Sequence, residues 1–174
     1  MRKILIAAIL ALGVANIAPL AAQPLPDNTI DPAKIIPYFN VETIDATLKT
    51  VTGNHLATVN PAGENIITAY APNGLQFSFQ FLQCDEKTPV QCKALQLLTS
   101  WSLDGQKLDF LNIVPAFQRS HLFVNSGTLE DGRPYIARII TADQGLAQGN
   151  LATEIRNFIS DATAFNTKLI KASQ

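Results

Sequence analysis

The chain has 174 residues, 47% of them hydrophobic and 16% charged, and its 13 basic and 14 acidic side chains leave a net charge of −1. With no basic stripe and no run of like charge, it argues against binding a nucleic-acid backbone. The length suits one domain with a proper core and is short for two.

Arg2 and Lys3 precede an unbroken apolar run from Ile4 to Ala15, followed by Asn16-Ile17-Ala18-Pro19-Leu20-Ala21-Ala22. This is the pattern of a secretory signal peptide over residues 1–22, with cleavage expected after small Ala22. A run of roughly a dozen apolar residues falls short of the ~20 that span a bilayer, so an uncleaved anchor is the weaker reading. No membrane association is expected after cleavage. Taking 22 residues from 174 leaves 152, and losing Arg2 and Lys3 leaves 11 basic against 14 acidic side chains, a net charge of −3. The expected location is periplasmic or secreted.

Residues 23–39 read as an irregular leader, with Pro24, Pro26, Pro32 and Pro37 among Asp27, Asn28 and Asp31. Asp31-Pro32 is expected to cap one helical turn through Ile36. A single domain, residues 40–174, follows. Asn40 caps a helix over 41–52 whose Val41, Ile44, Leu48 and Val51 share one face, with Phe39 and Ile44 as a hydrophobic staple and Gly53 as the stop. His55–Asn60 and Asn65–Ala71 read as strands, and Pro72-Asn73-Gly74 turns the chain into the next. There Leu75, Phe77, Phe79 and Phe81 alternate with Gln76, Ser78 and Gln80, the period-2 signature of a half-buried strand. A fourth strand carries Leu95, Leu97, Trp101 and Leu103 on one parity, which makes Trp101 a core residue rather than a partner anchor.

Between these two strands lie Cys84 and Cys92, an even pair in an exported chain and therefore an expected structural disulfide. On regular pleats Cys84 joins the outward set of Ser78 and Gln80, and Cys92 that of Gln96 and Ser100, so both sulfurs should face away from the aromatic side. Their spacing is too wide for a redox site of the two-residue kind.

Leu108, Phe110, Leu111, Val114 and Phe117 suggest a second helix that Pro115 should kink or end near Val114. Ser120–Asn125 and Tyr135–Thr141 read as two further strands. Leu151, Ile155, Phe158, Ala162, Phe165 and Leu169 form the stripe of a final helix, Leu151–Ile170, capped by Asn150. The order α-β-β-β-β-α-β-β-α predicts an α+β fold with an antiparallel sheet of about six strands.

Catalytic and ligand motifs are missing. His55 and His121 stand 66 residues apart with no spacing that gathers further ligands, so no metal site is expected. There is no G-x-S-x-G turn for a serine nucleophile. Asp85/Glu86 and Glu130/Asp131 are loop carboxylates for which solvation is the default. Gly145 and Gly149 lack the Gly-x-Gly start of a dinucleotide site. No catalytic residue, metal ligand or cofactor is therefore assigned, and a non-enzymatic protein is expected.

Taken together, F-x-F-x-F, the pair Cys84 and Cys92 around a short polar loop, Leu95-Gln96-Leu97, Asn112, Arg119 and the closing helix resemble the YbjN-like family, over roughly Val41 to Leu169. Family members often carry Trp-Asn just after the helix Asn, where this chain has Val114-Pro115. The resemblance implies a fold like that of type III secretion chaperones, helices packed on one face of an antiparallel sheet, and a role as putative sensory transduction regulator. The expectation is an exported protein that binds another protein, as chaperone or regulator, with homodimerisation allowed. The alternative is a small-ligand binder or enzyme using a cleft between sheet and helices, and a third reading is a structural or inhibitory secreted domain.

Overall fold

The computed structural model describes residues 30–85, 90–102 and 109–172. Residues 1–29, which take in the expected signal peptide and the start of the leader, lie outside the described residues, as do Glu86, Leu103 and Leu108. In chain order the elements are β1 (Ile35–Ile36), α1 (Val41–Val51), β2 (Asn54–Val59), β3 (Asn65–Tyr70), β4 (Gln76–Cys84), β5 (Cys92–Ser100), α2 (Phe110–Gln118), β6 (Asn125–Thr128), β7 (Pro134–Thr141), β8 (Leu146–Ala147) and α3 (Gln148–Ala172). Six strands form one antiparallel sheet in the order β2-β3-β4-β5-β7-β6, and β1 pairs with β8 in a separate ribbon. The fold is α+β.

Cross-strand register shows which residues share a face. Ala57, Ile67, Phe79, Leu97 and Arg138 form one row across the sheet, and Thr99 and Ile136 belong to the next. Of these inward positions Ile67, Phe79, Leu97 and Ile136 join a single core cluster with Ile44 and Leu48 of α1, Phe117 of α2 and the whole predicted stripe of α3, Leu151 through Leu169. No outward residue of the sheet belongs to that cluster, so all three helices cover the same face. Burial of side chains such as Phe79, Phe158 and Phe165, each removed from water, contributes about 2 kcal/mol apiece.

Helix α1 begins as expected. The Asn40 side chain accepts from the Thr43 amide at 2.8 Å while the Thr43 hydroxyl accepts from the Asn40 amide at 3.0 Å, a capping box closed by threonine. Its end is set by Thr52 rather than by Gly53. The Thr52 amide and hydroxyl both donate to the Leu48 carbonyl, at 2.9 and 2.7 Å.

Four expectations are corrected. Asp31 starts a turn, accepting from the Ala33 amide at 3.0 Å, but no helical turn reaches Ile36. Pro37 holds the residue before it in extended conformation, and Ile35–Ile36 become β1, paired with β8. Helix α2 does not end near Val114. It runs through Pro115 to Gln118, its last turn fixed by buried Phe117 against Phe165 at 4.8 Å. The strand expected at Ser120–Asn125 is a turn, with the Ser120 and His121 amides bonded back to Phe117 and Gln118, and β6 starts only at Asn125. Finally, α3 begins at Gln148, which puts Asn150 inside its first turn. The Gln148 and Gly149 amides donate to the Lys34 and Pro32 carbonyls at 2.8 and 3.0 Å, so the leader backbone takes the place of a side-chain cap.

Candidate interaction surfaces

The face of the sheet opposite the helices is uncovered by any described helix. Its outward positions run through Asn54, Leu56 and Thr58 on β2 to Tyr135, Ala137, Ile139 and Thr141 on β7. None of the outward residues on β2 to β7 carries a charge, in a chain with 13 basic and 14 acidic side chains. Leu56, Tyr70 and Ile139 are exposed there, and Ile66, Leu98 and Tyr135 half-buried. Tyr135 lies flat across β6, because a Cβ at Gly127 would meet its ring at 2.8 Å. Arg133 marks the rim, held by Asp131 at 2.7 Å and reaching the Ser100 hydroxyl at 3.3 Å.

Charge is concentrated instead under α3. Arg138 shares inward parity with Ile136 and Ile140 and is 7% exposed. Its guanidinium is paired with Glu154 and stands 3.9 Å from Asp161, two helical turns further along α3. His121 reaches within 4.0 Å of Asp161 and stacks on the Phe117 ring at 3.8 Å, and it is half-buried. Burial holds the Asp161 carboxyl above its ordinary range, against the pull of His121 and Arg138. Phe123 lies 5.8 Å from the guanidinium, while Leu122 and Phe123 are 79% and 78% exposed.

The second histidine also has a carboxylate. His55 meets Asp45 of α1 at 2.9 Å, and Lys49 meets the same carboxyl at 2.6 Å. Hydrogen bonds from Lys49 first and His55 second draw that carboxyl below its ordinary value. Among the described residues no three His, Cys, Asp or Glu side chains gather as a metal site.

The predicted bridge is present: Cys84 and Cys92 are disulfide-bonded and paired in register across β4 and β5. Its orientation differs from the expectation of an outward bridge. Cys84 is exposed, but Cys92 is buried within the core cluster. Gln83, in left-handed conformation with φ 54°, breaks the pleat alternation beside the bridge. On the other side of Cys92 the leader closes through a single β-bridge, the Phe39 amide donating to the Cys92 carbonyl at 2.8 Å and the Cys92 amide to the Phe39 carbonyl at 3.0 Å. Asn112, in the first turns of α2, donates to Asp109, and Arg119 lies exposed just beyond that helix; neither lines the cavity beside the disulfide.

Between the sheet end and α3 lies a cleft of about 440 Å³ lined by Asn73, Gln76, Thr99, Trp101, Thr163 and Asn166 among others. Trp101 is half-buried in its wall, packed on Phe165 at 5.4 Å. The lining supplies amides, hydroxyls and one indole but no carboxylate, imidazole or amine, which suits hydrogen bonding to a neutral group more than acid–base chemistry.

No helix among the described residues is long and apolar enough to cross a membrane. No protein-family model, curated protein or solved structure matches the chain.

Proposed function

We propose that this chain is an exported, non-enzymatic protein that binds another protein through the uncharged face of its sheet. Its role is chaperone-like or regulatory, as the YbjN-like resemblance implies. One observation carries the reading: a six-stranded face with no charged residue and with Leu56, Tyr70, Leu98, Tyr135 and Ile139 set among Thr, Ser and Gln. Solvated strand faces ordinarily carry charge, whereas interface centres are depleted of it and enriched in aromatics. Strand spacing gives that face roughly 500 Å², more than half of what a standard interface takes from each partner. The disulfide and the charged-then-apolar N-terminus support export to an oxidising compartment. A photoreactive residue at Leu98 or Ile139, in cells that export the protein, should give one reproducible adduct with another protein. The same residue at Ala46 on α1 should not. Only self-adducts, or equal yields from all three positions, would overturn the reading.

The Trp101 cleft favours a second reading, a binder of a small neutral ligand rich in hydrogen-bonding groups. Trp101 is the chain's single tryptophan, so its fluorescence reports occupancy directly. No change with any neutral polar ligand class would leave the protein-binding reading alone.

A further inference from the structure

The sheet has an edge at β2, and nothing in β2 protects it. Among the described residues β2 pairs with β3 alone. Natural edges are blunted by charge, proline, bulges or a covering element. Asn54–Val59 contains no proline and no formally charged residue, and its six-residue register with β3 is unbroken. Past His55, whose ring meets Asp45 of α1, it is exposed on both faces, with Leu56 63% and Val59 64% exposed.

The ladder identifies the free groups. The Asn60 amide donates to the Glu64 carbonyl at 2.9 Å. Antiparallel alternation then turns the backbone of Asn54, Leu56 and Thr58 toward β3 and that of His55, Ala57 and Val59 outward.

We propose that β2 of one molecule pairs antiparallel with β2 of a second copy about a two-fold axis through Ala57, joining two six-stranded sheets into one. Rotation about that axis sets Ala57 against Ala57 and each His55 against the other copy's Val59, and every outward donor meets an outward acceptor. Leu56 then lies beside the other copy's Thr58 on the uncharged face, and Val59 gains a neighbour on the helix side. Ala57, the smallest of these side chains, falls on the axis where the two helix layers come nearest. No like charges are placed opposite one another, which makes a second copy a fitting occupant. His55 brings its own Asp45 from the same molecule. The pairing joins the two uncharged faces edge to edge and leaves both open.

The test is sedimentation velocity of the purified, oxidised protein from about 1 to about 200 µM, with Ala57→Pro, Leu56→Lys and Leu98→Lys as variants. Ala57→Pro removes an outward amide that β3 does not use, and proline is tolerated at an edge. The parent should dimerise with concentration, Ala57→Pro and Leu56→Lys should each raise the dissociation constant at least about tenfold, and Leu98→Lys should not. Far-UV circular dichroism checks that each variant is folded. A parent that stays monomeric throughout, as it would if the edge takes a strand of another protein, overturns the proposal. So does a dimer that survives both β2 substitutions but not Leu98→Lys.

Discussion

Arg138 on β7 is tied to Glu154 on α3, an ion pair set into the helix-facing side of the sheet between Ile136 and Ile140. Removing one charge of a buried pair costs more when the partner left behind is the better buried of the two. Arg138 is 8% exposed at its side chain and Glu154 33%. Glu154→Ala, which strands the guanidinium with Asp161 alone, should therefore cost about 2 kcal/mol. Arg138→Met, which leaves carboxylates that can reach water, should cost less. Denaturant unfolding of the two variants decides the order, and a reversal would mean the pair does not hold α3 to the sheet.

Asp161 gives the same cluster a pH signature. Its ordinary value is 3.8 and burial raises it in the folded chain. Below 3.8 both folded and unfolded states hold the proton. Above it the unfolded state releases the proton first, so the contribution of this group to stability is lost as pH rises through the raised folded value. Asp161→Asn keeps the neutral form at all pH. The melting temperature of this variant, minus that of the parent, should be larger at pH 7 than at pH 4. Asp45, lowered by Lys49 and His55, works in the opposite sense, its contribution lost as pH falls. It is common to both proteins and cancels in the difference.

The bridge of Cys84 and Cys92 closes a loop with a sequence separation of 8. On the chain-entropy account it contributes about 2.5 kcal/mol, so full reduction should lower the melting temperature by roughly 5–10 °C. Thermal melts with and without reductant measure this. Alkylation followed by mass measurement of the protein purified without reductant should find no free thiol.

Gly145 links β7 to the ribbon of β1 and β8 at φ 88°, and a Cβ there would meet Ile35 at 2.6 Å. Both conformation and space require glycine. Gly145→Ala should cost about 1–3 kcal/mol. Amide exchange should quicken first at Ile36 and Gln148, whose hydrogen-bond partners lie across this junction. Uniform quickening through α1 and β4 would show that the ribbon does not open independently.

What the sequence made legible was what short-range pattern decides. Phe77, Phe79, Leu95 and Leu97 alternate because one side of their strands is buried, and the α3 stripe repeats because one side of the helix is. Elements fixed by distant partners were hidden. Ile35–Ile36 is a strand only because Leu146–Ala147 lies beside it, and α3 starts early because two leader carbonyls receive its amides. Leu122 and Phe123 mimic a strand, yet both side chains stand in solvent. For Arg138 a signal existed, since it shares parity with Ile136 and Ile140. Its carboxylate partners lie on another element and could not be read from spacing. The uncharged sheet face was visible in principle as Gln, Ser and Thr between aromatics, but only the register across six strands shows that it is continuous.

The ribbon of β1 and β8 also bears on the order in which the molecule can be completed. Ile36 pairs with Leu146, 110 positions later, and Pro32 and Lys34 receive amides from the first turn of the last helix. A chain that emerges amino end first carries these leader residues without their partners until α3 follows. Contacts this distant in sequence form late, because the loop between them must close first. The leader and the start of the last helix therefore act as a clasp that closes only once both have been made, and until then the leader backbone lacks the partners that order it.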